Sequence, residues 1–239
     1  MRTPRLYWPA PLPTGAVPLP DAAARHLLKV LRRRDGDPVE LFDGAGLVAE
    51  AILCDVSPKG GQLTVGEARE DRRSEPPLHL HLGLPLLRGE RMDVALQKAC
   101  ELGVSEITLL QTRRTEVKFE AGARGDRRLA HAEGVLVHAA QQSGRTLNPP
   151  LPLESFAAER PEALKVVLDP DGAPLETFAD PSPGSVVLIT GPEGGLSEEE
   201  CATLARQGFV RWRLGPRILR AETAPLAALA TLSARFGDF

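Results

Sequence analysis

The chain has 239 residues, 42% of them hydrophobic, and a formal net charge of −3. That is enough apolar material for one large domain or two smaller ones, and it sets aside a disordered chain. The total charge gives no hint of nucleic acid, but its distribution is uneven. Residues 1–34 carry seven Lys/Arg against one acid, residues 151–200 carry two against eleven, and residues 206–220 hold five arginines and no acid. Such basic islands permit a polyanionic partner. No stretch approaches the roughly 18 apolar residues of a membrane span, and the opening MRTPRLYWPAPLP lacks the apolar centre of a secretion signal. Cytoplasm and no membrane partner are therefore expected. Cys54, Cys100 and Cys201 lie far apart with no CxxC pair, and the five histidines form no ligand spacing, so no metal is expected.

Residues 1–71 read as a β-rich domain. DAAARHLLKVLRRR, residues 21–34, sets Leu27, Leu28 and Leu31 on one helical stripe and predicts a helix whose last arginines, Arg32 to Arg34, complement the macrodipole. VELF (39–42) and LVAEAIL (47–53), joined by a turn at Asp43 and Gly44, have the pattern of a hairpin, and GQLTVGEA (61–68) reads as a further strand. The polar EDRRSEPP, 70–77, marks the boundary, and a second domain is taken as 72–239.

From there apolar strands alternate with amphipathic helices. Strands are expected over 78–87, 104–110, 165–169, 185–190 and 209–214, and helices over 91–102, within 126–142, from Glu198 and through 224–236. Gly103 suits the C′ position that closes the first of these helices. KVVL and VVLI are continuous apolar runs, as strands buried on both faces of a parallel sheet require, so the fold class is α/β with a mostly parallel sheet.

Ligands of open α/β sheets sit beyond the carboxyl ends of the strands, and two late strands end in conspicuous loops. SVVLIT runs into GPEGGLSEEE (191–200), where Ser197 and Glu200 have the spacing of a capping box. Glu198 to Glu200 then belong to a first helical turn and are favourable there without any ligand. Glu193 stands apart, among Gly191, Gly194 and Gly195. FVRWRL runs into GPRILRAETAPL (215–226), with Thr223 a candidate cap and Pro225 tolerable in a first turn. Neither loop has the lysine of a Walker A sequence or the G-x-G-x-x-G of a dinucleotide site. Such loops suit a ligand held by backbone hydrogen bonds and carrying little net negative charge. A nucleoside with a cationic centre, such as S-adenosylmethionine, fits better than ATP or NAD.

The pair GPEGGLSEEE and LGPRILRAETA resembles the signature of the SPOUT methyltransferases, and specifically of the bacterial 16S rRNA (uracil-N3)-methyltransferase family. HLLKVLR (26–32), FDG (42–44), QKACELGV (97–104), RRTEVK (113–118) and QQSGR (141–145) match further family motifs in the family's order, so the resemblance covers nearly the whole chain. It implies an N-terminal PUA-like β-barrel that helps hold RNA, a C-terminal α/β domain tied in a trefoil knot, S-adenosylmethionine as cofactor, and a homodimer whose active site is completed by the partner. Carried onto this chain, the cofactor loops are Leu168, the turn with Gly191, Glu193 and Gly195, and the segment with Leu214, Gly215, Ile218 and Leu219. Backbone groups of Leu214, Ile218 and Leu219 would read the adenine between their side chains.

Methylating a ring nitrogen that bears an imide proton needs a base and a cation to offset charge on the flanking oxygens. Arg220 fits the second role and Glu222 the first, with Glu193 or water as alternatives for the base. Arg113, Arg114, Gln142 and Arg145, with Arg32 and Arg33, are expected to contact RNA phosphates, since arginine's planar fork suits them. The substrate implied is N3 of a uridine in small-subunit rRNA, free or within the 30S subunit. A related enzyme acting on tRNA or another rRNA base, and a ribosome assembly factor without turnover, are the alternatives.

Overall fold

The computed structural model describes residues 3–58, 60–118, 122–145, 151–152, 163–177 and 182–239. The chain divides into two compact units, Met1–Glu75 with Ala140–Leu147, and Pro76–Ala139 with Asn148–Phe239.

In the first unit five strands, β1 (Arg5–Tyr7), β2 (Gly15–Pro18), β3 (Pro38–Phe42), β4 (Leu47–Ser57) and β5 (Gly60–Glu70), form one sheet in the order β1-β3-β4-β5-β2. The β3–β4 hairpin pairs Pro38 with Ile52 through Phe42 with Val48, as its alternating pattern predicts. Asp43 makes the turn: its Oδ1 accepts from the amides of Ala45 at 2.7 Å and Leu47 at 3.0 Å, so the side chain substitutes for missing ladder partners. The inward residues Leu6, Leu27, Val39, Leu41, Leu53 and Leu63 share one core.

The helix expected over 21–34 is shorter. A single α-turn, α1 (Asp21–Ala24), continues as a π-helix over Arg25–Val30, and Arg32 adopts φ 53°, a left-handed conformation that ends the helix. Arg32 to Arg34 thus lie in a loop beyond the helix, not in a last turn where the macrodipole would hold them.

The second unit is built on a six-stranded sheet in the order β11-β9-β10-β6-β7-β8, comprising β6 (His79–Pro85), β7 (Glu106–Leu110), β8 (Leu151–Pro152), β9 (Leu164–Ala173), β10 (Ser185–Ile189) and β11 (Val210–Trp212). All its pairings among the described residues are parallel. Central β6 and β10 are buried along nearly their whole lengths, which is why their sequences read as unbroken apolar runs. Among the described residues four α-helices accompany the sheet: α2 (Glu90–Glu101), α3 (Ala123–Ser143), α4 (Glu198–Arg206) and α5 (Thr223–Phe236). α2 turns Ala95, Leu96, Ala99 and Cys100 inward, packs against α5, and stops before Gly103, whose φ of 91° closes it as predicted.

One parallel sheet directs the carboxyl ends of all its strands to one edge. The loops after β6, β7, β9, β10 and β11 therefore gather there, although more than 100 residues of sequence separate the first from the last. β9 adds a second device. It pairs with β10 through Val167 and rejoins β11 only at Ala173, so Leu168 to Gly172 bulge toward that edge. Gly172 permits this, because a Cβ there would lie 2.6 Å from the Arg211 carbonyl carbon.

Candidate functional site

Beyond the strand ends lies a cavity of about 640 Å³, within the range of small-ligand sites. Leu168, Gly191, Glu193 and Gly195 line it, as do Leu214, Gly215, Ile218 and Leu219 on the β11 side, together with Arg220 and Glu222. All ten positions singled out in the sequence for cofactor and catalysis thus share one wall system. Arg91, Pro170 and Trp212 line the same cavity and were not anticipated, and Asp169 and Arg217 join them from within the expected loops without having been singled out. Asp169 directly follows an apolar run at a strand end and could have been read. Arg91 could not, being 102 residues from its partner Glu193.

The β10 loop folds as its residues dictate. Ser197 caps α4 by accepting from the Glu200 amide at 3.3 Å, and Glu200 reaches back to the Ser197 amide at 2.8 Å, a full capping box. Burial pushes the Glu200 carboxyl up, but hydrogen bonds from the Ser197 and Arg113 amides overrule it and hold the group below the usual carboxylate range. Ahead of the cap, Gly195 donates to the Pro192 carbonyl at 2.8 Å and adopts φ 69°, so the turn closes tightly and keeps side chains away from the cavity floor. Thr223, a candidate cap, is instead the first residue of α5. Glu222 holds the N-cap position with helical dihedrals and no capping bond, so its carboxylate is left for the cavity.

The charges of the wall balance. Among the described residues Arg91, Arg217 and Arg220 line the cavity together with Asp169, Glu193 and Glu222, three of each sign, a poor receptor for a polyphosphate and a suitable one for a zwitterion or a cation. Asp169 is committed: the Arg211 guanidinium donates to its Oδ2 from Nε and Nη2, both at 2.8 Å. Burial works to lower Arg211, yet that ion pair raises it above the ordinary guanidinium value. Burial also pushes the neighbouring Cys201 thiol up, which favours its protonated form. Glu222 is in a different condition. Its Oε2 is buried and has no hydrogen-bond partner among the described residues.

The residues assigned to RNA phosphates have separate fates. Arg114 donates from Nη1 to the Gly194 carbonyl at 2.9 Å, and Arg113 pairs with Glu199 while its amide donates to Glu200 at 2.8 Å, so both hold the β10 loop and α4. In the first unit Arg32 and Gln142 are exposed, whereas the Arg33 Nε is buried. Arg145 corrects its expectation. It is only 4% exposed, bonds Glu75 at 2.8 Å and the Ser74 carbonyl at 3.2 Å, and so serves the interior rather than a phosphate-contacting surface. Among the described residues no group of three or more His, Cys, Asp or Glu could hold a metal ion, and no helix is long and apolar enough to cross a membrane.

A parallel α/β sheet with a nucleotide-sized, charge-balanced cavity at its carboxyl edge defines a domain built to hold a nucleoside-like ligand without phosphates. Two family models match the chain, an RNA methyltransferase domain over residues 74–233 and an RNA methyltransferase PUA domain over residues 19–66. Ribosomal RNA small subunit methyltransferase E of Synechocystis is 33% identical, over 92% of this chain and 73% of that one. The Mycobacterium bovis protein of the same name is 31% identical, over 95% of this chain and 90% of its own. The crystal structure of ribosomal RNA small subunit methyltransferase E from Neisseria gonorrhoeae, bound to S-adenosyl methionine, superposes over 100% of both chains with a TM-score of 0.86 and 35% identity. The chain belongs to this family of ribosomal RNA small subunit methyltransferases.

Proposed function

We propose that this protein transfers a methyl group from S-adenosylmethionine to N3 of a uridine in small-subunit rRNA. The observation that carries the reading is the cavity: backbone-rich, bounded by Gly191, Gly195 and Gly215, balanced in charge, and holding one buried, unpartnered carboxylate oxygen on Glu222. The residues suit this cofactor, since Leu214, Ile218 and Leu219 offer apolar surface for an adenine and no lysine stands among the described residues of the lining. When bound, S-adenosylmethionine supplies an electrophilic methyl on a sulfonium that leaves as a neutral thioether.

The chain's own groups do the rest. Glu222 takes the N3 proton, for which a carboxylate without a competing donor is suited. Arg220, exposed at the mouth beside it, offsets the negative charge that develops on the flanking uracil oxygens. Folded rRNA must splay the target base to bring its edge to these groups. The reading extends to a trefoil knot through the cofactor loops, a closed PUA-like barrel, a cytoplasmic homodimer with a shared site, and rRNA or the 30S subunit as partner.

Radiolabel transfer to unmodified small-subunit rRNA tests it: label retained in a uridine at N3 supports the reading, label in tRNA redirects it, and none removes it. Cofactor at about 100 times its dissociation constant should raise stability by about 2.7 kcal/mol, where ATP raises it little. Sedimentation should show a dimer at micromolar concentration.

A further inference from the structure

Arg91, in the first turn of α2, and Glu193, in the β10 loop, face each other with Nη1 3.0 Å from Oε1. Both line the ligand cavity, and among the described residues they are the one pair of opposite charges in its wall that touch each other. The other acids are in different situations, Asp169 being held by Arg211 and Glu222 having a buried Oε2 with no hydrogen-bond partner among the described residues. Both partners are partly exposed, 46% and 35%, so their mutual attraction is worth little and is readily exchanged.

We infer that Arg91 and Glu193 form the receptor for the amino-acid end of the ligand, Arg91 taking the carboxylate and Glu193 the ammonium. The inference rests on S-adenosylmethionine being the cofactor, and it assigns a function to Arg91, which lies 102 residues from Glu193 in the chain. An α-amino acid carries an anion and a cation on one carbon, and this pair offers their complements side by side. Entry of the ligand swaps one ion pair for two charge-assisted contacts, each charge keeping an opposite partner throughout, which avoids the penalty of stranding a charge. Arginine can grip a carboxylate with two parallel donors, whereas the remaining surface near Gly191 and Gly195 offers backbone. Glu193 is set at the required place by the clamp on the next residue, the Arg114 bond to the Gly194 carbonyl.

Titration calorimetry with three nucleosides tests the assignment on the full chain. S-adenosylhomocysteine carries both charges of the tail, decarboxylated S-adenosylmethionine lacks the carboxylate, and 5′-methylthioadenosine lacks both. Arg91→Ala should weaken S-adenosylhomocysteine about tenfold, the scale of one charged hydrogen bond, leave 5′-methylthioadenosine unchanged, and not weaken decarboxylated S-adenosylmethionine, whose ammonium no longer competes with Arg91 for Glu193. Glu193→Gln should weaken the first two and spare 5′-methylthioadenosine, which doubles as the check that the variants fold. The tail's share of affinity should also shrink as salt rises, because the pair is open to solvent. Equal losses for all three ligands in Arg91→Ala would overturn the inference, as would loss of the discrimination in Arg217→Ala or Glu222→Gln instead. If the wild-type protein binds none of the three, the cofactor reading itself falls, and the assignment with it.

Discussion

Arg114 Nη1 donates to the carbonyl of Gly194 at 2.9 Å, tying the loop after β7 to the turn that floors the ligand cavity. The contact is close along its whole length, since a Cβ on Gly194 would stand 3.2 Å from the Arg114 Cβ. Its neighbour Arg113 repeats the arrangement on α4 through Glu199 and Glu200. Arg114→Ala should therefore weaken every nucleoside ligand alike by about 1 kcal/mol, roughly fivefold, with little change in melting temperature because the side chain is exposed. Gly194→Ala should act in the same direction. Calorimetry of S-adenosylhomocysteine and 5′-methylthioadenosine measures both, and unchanged affinities would show that the turn keeps its shape unaided.

Glu222→Gln removes the proposed base without changing side-chain volume. Turnover should fall by roughly 100-fold or more, the usual contribution of a positioned base, while S-adenosylhomocysteine affinity stays within about twofold. Single-turnover rates across pH check the assignment. A variant as fast as the parent would pass the role to water, or to Glu193 at the cost of its assignment to the ligand's ammonium.

The capping box of α4 makes a prediction about stability. Ser197→Ala should cost about 1 kcal/mol, read from thermal or denaturant melts. Because the folded protein holds Glu200 below its ordinary value, its charged form adds stability at neutral pH that is lost as pH falls through the lowered, folded value. Glu200→Gln should thus be less stable than the parent near pH 7, and the gap should close in acid. A gap that widens in acid would contradict the sign.

Arg145 and Arg32 should separate cleanly. Arg145→Ala should destabilise the fold by roughly 2–3 kcal/mol, as it leaves Glu75 without its charged donor. Arg32→Ala, at an exposed loop position, should leave stability unchanged and reduce the salt dependence of RNA affinity by about one unit of slope. Filter binding over a range of salt, beside melting curves, checks both. A normal slope for Arg32→Ala would remove it from the RNA surface.

Much of this molecule is written locally. The β3–β4 hairpin, the α4 capping box, the stop at Gly103 and the parallel character of β6 and β10 each follow from interactions within a few residues, or from burial on both faces, and a sequence records such patterns directly. The two glycine-bearing loops that line the cavity were legible for the same reason, as strand–loop–helix transitions with too few side chains to fill the space. The end of the first helix was not, because the left-handed turn at Arg32 leaves no mark in an arginine run.

Pairings across the fold belong to the tertiary structure. Nothing in an arginine's neighbours distinguishes Arg145, buried against Glu75, from Arg32 in solvent, or reveals that Arg91 would meet Glu193. The sequence by itself determined which elements form, where they cap and which loops carry little side chain, since those depend on local propensity and periodicity. Only the parallel sheet, by bringing the carboxyl ends of strands distant in the chain to one edge, decided which charges face one another, and so which arginines hold a loop, fill a core or line the cavity.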